Sequence, residues 1–406
     1  MRLLYLSGSG AMGGAERVLL DTILGMQARG HQITLILGEH GPLLSQVAAA
    51  GVEAEVLPMP ERLAAFGESG QSAAAMLAGV PAAGAAALSY LRALNASVAR
   101  WNPSLIHSNA IKTHVLGASL RHSAPLVWHL HDYVGSRPLT ARLLRWQRGA
   151  ARGAIANSAS VATDAKATLP GLPIWTVPNA VALDRFRRGA APADLDALSH
   201  LAPPPSGTIR VGLIATFAWW KGHDVFLRAL ASLPPSLAVR GYIVGGAIYR
   251  NGLRQVTAAE LDAAIARHDL GDRVGLAGYV EDTASVLSSL DIVVHASTRP
   301  EPFGLVIAEA MAAGLPVVTT DVGGVRELVA DRPGAAAGAV VVPREPAALA
   351  EALEQYLTAP DTARAAGAHN RARAIAEFSW RTSALRLLDV YHRIVSARRG
   401  VTRASA

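Results

Sequence analysis

Short apolar runs alternate with longer helical patterns along the whole 406-residue chain. Leucine-rich or β-branched runs indicate strands, and strands that alternate with helices favour parallel α/β sheets. Seven such runs occur in the first half of the chain, at 2–7, 32–37, 54–59, 105–109, 126–131, 154–158 and 174–179. Six more occur in the second half, at 209–216, 239–245, 273–278, 291–297, 316–321 and 339–343. The pattern therefore predicts two consecutive open sheets, each of Rossmann size.

A segment rich in proline, alanine and small polar residues separates the two sets of strands. It covers 188–207, and this composition is typical of a linker. We therefore predict an N-terminal domain over 1–187 and a C-terminal domain over 208–379, with a last helix at about 380–406 that packs back on the N-terminal domain. In such folds the ligand lies at the carboxyl ends of the strands, here in the cleft between the domains.

The composition excludes several classes of site. The chain has no cysteine, which excludes a disulfide framework, a thiolate metal site and a cysteine nucleophile. Its start has too short an apolar run for a signal peptide, and its longest apolar region, 73–88, is too short to span a bilayer. These features favour a cytoplasmic protein. Only three lysines stand beside 35 arginines, a bias typical of a GC-rich bacterium, so a lysine at a motif position is informative.

The net charge of +7 is concentrated in one segment. Between residues 100 and 152 one acid, Asp132, faces eight basic residues: Arg100, Lys112, Arg121, Arg137, Arg142, Arg145, Arg148 and Arg152. Such a field favours a phosphate-bearing acceptor or a peripheral contact with the inner face of an anionic membrane, and a solvated helix face is the alternative. Nucleic acid is not expected, because no recognition helix, zinc knuckle or aromatic stacking platform accompanies the charge.

Two glutamates, Glu301 and Glu309, lie in the mostly apolar stretch 299–318, "RPEPFGLVIAEAMAAGLPVV". A helix is predicted to start near Gly304 and to end at Gly314, with Glu309 just over one turn inside it. A helix N-terminus attracts phosphate, and a carboxylate can accept hydrogen bonds from two adjacent hydroxyls. The spacing of the two acids suits a sugar and a ribose joined by a diphosphate. The alternative is one capping acid and one core acid paired with an arginine.

Two further motifs bear on the nature of the ligand. Lys221 follows the strand 209–216, where its ammonium group can neutralise a diphosphate; simple surface solvation is the alternative. Gly8, Gly10 and Gly13 have GxGxxG spacing after the first strand, and Glu39 ends the next one. This fingerprint supports an NAD-dependent oxidoreductase as the second hypothesis, although it leaves the glutamates of the second half unexplained.

Histidines supply the remaining candidates. His131 ends the strand 126–131 and precedes Asp132, so that it faces the predicted cleft. His107 and His129 fit either the core or the acceptor side, and Lys112 is placed to contact an acceptor phosphate. The sequence shows neither a Ser/His/Asp triad nor a histidine and glutamate cluster with metal-ligand spacing, so no metal is expected.

Residues 295–328 resemble the E-x7-E signature of glycosyltransferase family 4. The resemblance extends over nearly the whole chain, through "GGAER" (13–17), "VWHLHD" (127–132), "IANS" (155–158), "VPNAVALDRF" (177–186), "KGHDVFLRAL" (221–230), "LAGYVED" (276–282) and the terminal helix with Tyr391. It implies the α/β GT-B fold, in which two Rossmann-like domains with parallel sheets face each other across an interdomain cleft. It also implies a retaining, metal-independent enzyme that takes a sugar from a nucleotide diphosphosugar.

The resemblance assigns donor-binding roles. Glu309 would bind the ribose hydroxyls, and Glu301 would hold hydroxyls of the donor sugar. Backbone amides would cover the sugar and phosphates near Phe303, Gly304 and Leu305, approach the phosphate at Gly13 and Gly14, and contact the base near Gly278 and Tyr279.

The resemblance also assigns the reacting centre, with His131, Lys221 and Glu301 as the catalytic residues. His131 would contact the sugar or assist the reaction, with Asp132 orienting it. The family often carries a second cation where Thr216 stands here, so that Arg299 or Arg250 would have to supply the missing charge.

These roles predict a retaining hexosyltransferase that needs no cofactor besides its donor. A UDP-sugar is the preferred donor and a GDP-sugar the second. The acceptor would be a hydroxyl of a lipid-linked compound, a glycan or a small molecule. Besides the oxidoreductase, a GT-B nucleotide-sugar epimerase and a non-catalytic nucleotide-sugar sensor are the alternatives.

Overall fold

The computed structural model describes residues 1–64, 73–187, 189, 191–247, 254–329 and 338–403. The chain forms two compact units. Unit 1 contains the residues up to Ala180 and the chain from Trp380 onward, whereas unit 2 contains Val181–Ser379. No helix in the described ranges combines the length and the hydropathy needed to cross a membrane.

Unit 1 is built on a parallel sheet of seven strands in the order β3-β2-β1-β4-β5-β6-β7. The strands are β1 (Arg2–Ser7), β2 (Gln32–Leu37), β3 (Glu53–Val56), β4 (Leu105–Ser108), β5 (Leu126–Leu130), β6 (Ala151–Ala156) and β7 (Ile174–Thr176). The helices between them are α1 (Gly14–Gln27), α2 (Pro42–Ala49), α3 (Glu61–Ala64), α4 (Ala73–Trp101), α5 (Ile111–Ala118), α6 (Pro138–Gln147) and α7 (Ala159–Thr168). Short 3₁₀ turns cover Val134–Ser136 and Arg148–Ala150.

Unit 2 is built on a parallel sheet of six strands in the order β10-β9-β8-β11-β12-β13. The strands are β8 (Ile209–Ile214), β9 (Val239–Val244), β10 (Val274–Gly278), β11 (Ile292–His295), β12 (Val317–Thr320) and β13 (Ala339–Val341). The helices are α8 (Leu195–Leu198), α9 (His223–Ser232), α10 (Ala258–Arg267), α11 (Thr283–Ser288), α12 (Leu305–Ala313), α13 (Val325–Val329), α14 (Pro346–Thr358) and α15 (Pro360–Glu377). A 3₁₀ turn covers Trp219–Lys221. All thirteen predicted strands are therefore present.

The last helix, α16 (Trp380–Arg403), belongs to unit 1. Its buried side chains, which include Leu387, Tyr391 and Ile394, join the apolar cluster that Leu19 and Ile23 of α1 form against the sheet. The helix thus covers one face of the seven-stranded sheet. Residues 404–406 of the predicted helix lie outside the described residues.

The segment 188–207, predicted as a linker, is instead part of unit 2, and the chain already changes units after Ala180. Residues 188 and 190 lie outside the described residues. Within α8 the carboxylate of Asp196 is buried and accepts hydrogen bonds from Arg210 (2.5 Å), Arg240 (2.8 Å) and the hydroxyl of Tyr242 (2.6 Å). These bonds attach the segment to the strands of the second sheet. The small residues of the segment do not indicate this attachment.

Replacing Asp196 by asparagine should destabilise unit 2. Breaking a buried ion pair leaves Arg240 uncompensated, which costs about 3 kcal/mol of the free energy of unfolding. Burial alone would raise the pKa of Asp196, but the hydrogen bonds from Tyr242 and Arg240 and the charges of Arg210 and Arg240 outweigh it and lower the pKa. The stabilisation is therefore complete above the ordinary aspartate pKa and is lost as the pH falls through the lowered one.

Urea unfolding at neutral pH and at progressively lower pH measures this difference. The matched control is Asp262→Asn on the exposed side of α10, which should unfold like the wild type. An unchanged free energy of unfolding for Asp196→Asn at neutral pH would contradict the role given to the ion pair.

Candidate functional site

Polar side chains from two loops of unit 2 meet at the carboxyl ends of the neighbouring strands β8 and β11. Lys221 ends the 3₁₀ turn that follows β8, and Glu301 lies in the loop that follows β11. The Nζ atom of Lys221 donates to Oε2 of Glu301 at 2.6 Å. The sequence-predicted cation and the first glutamate of the E-x7-E motif are thus direct partners.

Two further groups contact the same carboxylate oxygen, and a third holds one of them in place. Nε2 of His295, the last residue of β11, lies 3.4 Å from Oε2 of Glu301, and the hydroxyl of Ser297 donates to this oxygen at 3.2 Å. The other nitrogen of His295, Nδ1, lies 3.1 Å from the hydroxyl of Thr319 on β12. The carboxylate therefore has a fixed position.

Glycine and backbone hydrogen bonds bring the two loops together. Gly222 has a φ of +75°, and a Cβ atom there would lie 1.9 Å from the carbonyl oxygen of Ala296. Nearby, the amide and the hydroxyl of Thr298 both donate to the carbonyl of Trp220, at 2.7 and 3.2 Å. Only a residue without a side chain allows this approach, so Gly222 is required for Lys221 to reach Glu301.

The pair is mostly shielded from water, since the side chains of Lys221 and Glu301 are only 15% and 19% exposed. Burial by itself would raise the pKa of Glu301, but the charge of Lys221 and the hydrogen bond from His295 outweigh burial and hold the pKa well below its ordinary value. Glu301 is therefore a carboxylate at neutral pH.

Helix α12 begins beside this pair. Gly304 precedes it with a φ of +89°, and a Cβ atom there would lie 3.0 Å from the side chains of Ile307 and Val325. The N-cap residue, Gly304, provides no side-chain cap, and the first amides of a helix attract anions. Phe303 is buried and packs edge-on against Phe378, so any ligand contact there would have to use its backbone. Leu305 is the first residue of the helix and Glu309, 6% exposed, lies just over one turn further.

The other residues predicted in unit 2 lie at neighbouring strand ends. Thr216 follows β8, and its buried hydroxyl has no hydrogen-bond partner among the described residues. Gly278 ends β10 with a φ of +69°, and Tyr279 after it is exposed. The guanidinium of Arg299 lies over the ring of Trp219, 4.4 Å from its centroid. Arg250, the other candidate for the missing cation, lies outside the described residues.

In unit 1 the predicted phosphate loop leads into α1. Gly13 precedes the helix and Gly14 is its first residue. Burial raises the pKa of Glu16, although the backbone amides of Glu16 and Gly13 donate hydrogen bonds to its carboxylate and act in the opposite direction. This helix start therefore already binds one carboxylate, which an incoming phosphate would have to displace.

The glycines of the GxGxxG motif have a structural explanation in the same loop. A Cβ atom on Gly10 would lie 2.6 Å from the carbonyl of Glu39. The side chain of Glu39 accepts hydrogen bonds from the hydroxyl of Ser9 (2.7 Å) and the amide of Gly10 (3.2 Å). Glu39, the acid that would bind a ribose in an oxidoreductase, is therefore hydrogen-bonded to the glycine loop instead. The oxidoreductase hypothesis is not favoured.

His131 lies at the carboxyl end of β5. Its Nε2 atom is 2.9 Å from Oδ1 of Asn109, and Nδ2 of Asn109 donates to the carbonyl of Ala15 in α1 at 3.4 Å. Asp132, predicted to orient His131, instead accepts hydrogen bonds from the amide of Tyr133 and from Arg137, both at 2.8 Å. Among the described residues, the side chain that holds His131 is therefore Asn109.

The other two histidines predicted for unit 1, His107 and His129, are buried. Nε2 of His107 lies 3.2 Å from Nδ1 of His129, and Nδ1 of His107 lies 2.7 Å from the hydroxyl of Tyr391 on α16. His107 has no exposed surface, so of the two alternatives given for it the core fits its side chain. Lys112, the second residue of α5, stands at the carboxyl end of β4.

Sequence reasoning missed four residues of these clusters: Asn109, His295, Ser297 and Thr319. Each is a polar residue near the carboxyl end of a strand, and this position could have been used to predict them as site residues. Within the described residues, no group of three histidine, aspartate or glutamate side chains is arranged to bind a metal ion.

Comparison with known proteins identifies the family. Residues 12–185 match the model of "Glycosyltransferase Family 4", and residues 202–373 match that of "Glycosyl transferases group 1". The chain belongs to the glycosyltransferases of family 4, and its α/β fold with two parallel-sheet domains is that of the GT-B enzymes.

Curated relatives match part of the chain. A D-inositol 3-phosphate glycosyltransferase of Corynebacterium urealyticum is 30% identical over 52% of this chain and 48% of the relative. A D-inositol 3-phosphate glycosyltransferase 2 of Catenulispora acidiphila is 32% identical over 73% of this chain and 66% of the relative. The chain thus spans about half to two thirds of the length of these relatives.

A solved structure matches nearly the whole chain. Anabaena Alr3699/HepE, solved in complex with UDP and with UDP-glucose, is 26% identical, covers 96% of this chain and 99% of its own, and has a TM-score of 0.74. A sucrose-phosphate synthase from Thermosynechococcus elongatus shares the fold, with a TM-score of 0.75 over 98% of this chain and 99% of its own at 22% identity.

Replacing Lys221 by methionine should leave the carboxylate of Glu301 shielded without a cation. We expect the pKa of Glu301 to rise and the free energy of unfolding at neutral pH to fall by about 3 kcal/mol. The lowered pKa in the wild type means that the pair stabilises the fold fully above the ordinary glutamate pKa and less as the pH falls through the lowered one. The loss in Lys221→Met should therefore shrink in acid.

A double-mutant cycle with Glu301→Gln provides the control, because the variant that carries both substitutions has neither charge of the pair. Urea unfolding of the four proteins at neutral and acid pH should give a coupling of about 1–3 kcal/mol at neutral pH. Additive single effects would mean that the two side chains do not stabilise each other.

Proposed function

We propose that the chain is a retaining, metal-independent glycosyltransferase that transfers a hexose from a nucleotide diphosphosugar to an acceptor hydroxyl. A UDP-sugar is the first choice of donor and a GDP-sugar the second. The observation that carries this proposal is the Lys221–Glu301 pair beside the uncapped start of α12. The binding of UDP and UDP-glucose by Anabaena HepE supports the choice of base.

Different groups of unit 2 suit different parts of this ligand. The ammonium of Lys221 and the first amides of α12 would bind the diphosphate, whose charge grows as the bond to the sugar breaks. Glu301 would accept hydrogen bonds from sugar hydroxyls, and Glu309 from the ribose. Thr216, Gly278 and Tyr279 would line the part of the site that takes the phosphate and the base.

The proposed chemistry needs positioning and electrostatics more than a protein nucleophile. The departing diphosphate would accept the proton of the attacking acceptor hydroxyl on the same face of the sugar, which accounts for retention. Lys221 would lower the energy of the leaving group, and His131 would accept a hydrogen bond from a hydroxyl of the sugar. The cofactor-free reaction then depends on how firmly these side chains are held.

A screen of nucleotide sugars and NAD(H) by thermal shift, followed by an assay for nucleoside diphosphate release, tests this function. We expect stabilisation by a nucleotide sugar and slow donor hydrolysis. Glu309→Ala should weaken transfer by about ten- to a thousandfold, because each charge-assisted hydrogen bond that is lost contributes about 1.5–3 kcal/mol. Glu354→Ala on the exposed side of α14 is the matched control.

The alternatives give different results in the same screen. An epimerase would interconvert donor sugars without an acceptor, and a sensor would bind a donor without releasing a nucleoside diphosphate. Stabilisation by NAD(H) alone would refute the glycosyltransferase. Unchanged donor binding and turnover in Glu309→Ala would refute the ribose assignment.

We further propose that the basic part of unit 1 directs the enzyme to a phosphate-bearing acceptor at the inner face of an anionic membrane. Helix α6 buries Ala141 and Leu144 and exposes Leu139 (46%) and Trp146 (79%) beside exposed arginines. Tryptophan prefers the boundary between water and lipid, and arginine is attracted to anionic headgroups. The relatives named for D-inositol 3-phosphate are consistent with a phosphate on the acceptor.

Removing this surface with Arg142→Ala/Trp146→Ala should weaken binding to vesicles that contain phosphatidylserine. The arginine alone is expected to contribute about 1 kcal/mol, which is about a fivefold change in the partition coefficient. Vesicle sedimentation at low and high salt measures it, with Arg364→Ala/Ile375→Ala, another exposed arginine and apolar pair, as the control. Equal binding of both variants, or binding that is insensitive to salt, would rule out this surface.

A further inference from the structure

Asn109 joins two parts of the proposed site in unit 1. It follows β4, which lies between β1 and β5 in the sheet, and it is only 2% exposed. One end of its amide contacts His131 after β5, at 2.9 Å, and the other contacts the carbonyl of Ala15 in the first turn of α1 after β1, at 3.4 Å. The side chain thus bridges the histidine and the helix start that the resemblance assigns to the donor.

The two contacts decide which way the amide of Asn109 points. The carbonyl of Ala15 can only accept a hydrogen bond, so it requires the NH₂ end of the amide. The oxygen end then faces His131 and can only accept. The ring nitrogen opposite it, Nε2, must therefore carry a proton.

The second ring nitrogen of His131 has a different environment. Burial lowers the pKa of His131 to about 4, so the ring carries one proton at neutral pH. With that proton on Nε2, Nδ1 is a hydrogen-bond acceptor. Nδ1 is buried and has no hydrogen-bond partner in the described part of the chain, so its capacity to accept a hydrogen bond is unused there.

A row of buried rings supports the other side of His131. The ring centroid of His129 lies 4.1 Å from that of His131. His129 is hydrogen-bonded to His107, and His107 to the hydroxyl of Tyr391 on α16, at 3.2 and 2.7 Å. The imidazole of His131 is therefore held between this row and Asn109.

We propose that Asn109 is a positioning residue for the sugar transfer: its amide holds His131 as a neutral imidazole with the proton on Nε2 and with Nδ1 ready to accept a hydrogen bond from a substrate hydroxyl. This inference rests on the proposed function for its effect on turnover. The tautomer and orientation of His131 are properties of unit 1 alone.

The titratable groups around His131 come from every neighbouring element. His129 on β5, His107 on β4 and His114 on α5 are buried, and the pKa of each is lowered first by burial and then by the charge that His131 would carry. Asp132 follows it in the chain but is paired with Arg137, and Glu16 lies in the first turn of α1. The effect of a substitution at Asn109 can be distinguished from the effects of these groups. In the described part of the chain, Asn109 is the one side chain that is hydrogen-bonded to the ring of His131.

The test uses the full chain labelled with ¹⁵N-histidine. Long-range ¹H–¹⁵N spectra identify the protonated ring nitrogen of His131, whose signals are assigned by their loss in His131→Gln. The variants are Asn109→Ala, Asn109→Asp and the control Asn95→Ala, which removes a half-buried asparagine that bonds Leu91 and Arg121 instead. Hydrolysis of the nucleotide sugar found in the screen gives kcat and KM as a function of pH.

We expect the wild type and Asn95→Ala to show His131 protonated on Nε2. Asn109→Ala should show mixed tautomers and a kcat lowered about ten- to a hundredfold with little change in KM, as for a displaced catalytic group. In Asn109→Asp a carboxylate facing Nε2 should raise the pKa of His131. Its activity should then fall as the pH is lowered through that raised pKa, at pH values where the wild type is unaffected.

The proposal is overturned if the wild type carries the proton of His131 on Nδ1, or if Asn109→Ala keeps the wild-type tautomer or the wild-type kcat. It is also overturned if Asn109→Asp leaves the pH profile unchanged. The spectra need no substrate, so they decide the positioning role even if no nucleotide sugar is turned over. A complete lack of turnover would refute the proposed function instead.

Discussion

The hydrogen bond between Lys221 and Glu301, 80 residues apart in sequence, is the interaction on which the proposed chemistry depends. A shielded ion pair is often no more stabilising than an apolar pair of the same size, because both charges lose their hydration. Stability alone is therefore a poor reason for its presence. In the proposed reaction its effect would be to hold a cation, partly stripped of water, beside the start of α12, where it would need no reorganisation on binding a diphosphate.

Much of the fold is predictable from the sequence because parallel strands, buried on both faces, appear as nearly continuous apolar runs. All thirteen strands are present close to their expected positions. The segment 188–207 could not be assigned in this way, since its attachment depends on one carboxylate, Asp196. The partners Arg210, Arg240 and Tyr242 lie in strands further along the chain, and composition does not reveal such pairing.

Sequence reasoning named candidate residues for the site but not the partners of these residues. Motif spacing singled out Glu301, Lys221 and His131, whereas the structure alone shows that β8 and β11 are neighbours and that their loops exchange hydrogen bonds. Adjacency in sequence favoured Asp132 as the partner of His131. The sheet instead places the loop after β4 beside the loop after β5, so that Asn109, 22 residues away, contacts the ring.

Lys221 and Glu301 in unit 2 and His131 in unit 1 are different kinds of polar group. Unit 2 contributes the ammonium of Lys221 and the carboxylate of Glu301, whereas unit 1 contributes His131, whose pKa is lowered by burial to about 4. In the proposed transfer the diphosphate gains negative charge while the sugar hydroxyls remain neutral. Cations and helix amides interact most strongly with the charged diphosphate. A neutral imidazole in one tautomer can accept a hydrogen bond from a sugar hydroxyl without adding a competing positive charge. The charged groups of unit 2 therefore suit the proposed diphosphate, and the neutral imidazole of His131 suits a hydroxyl group.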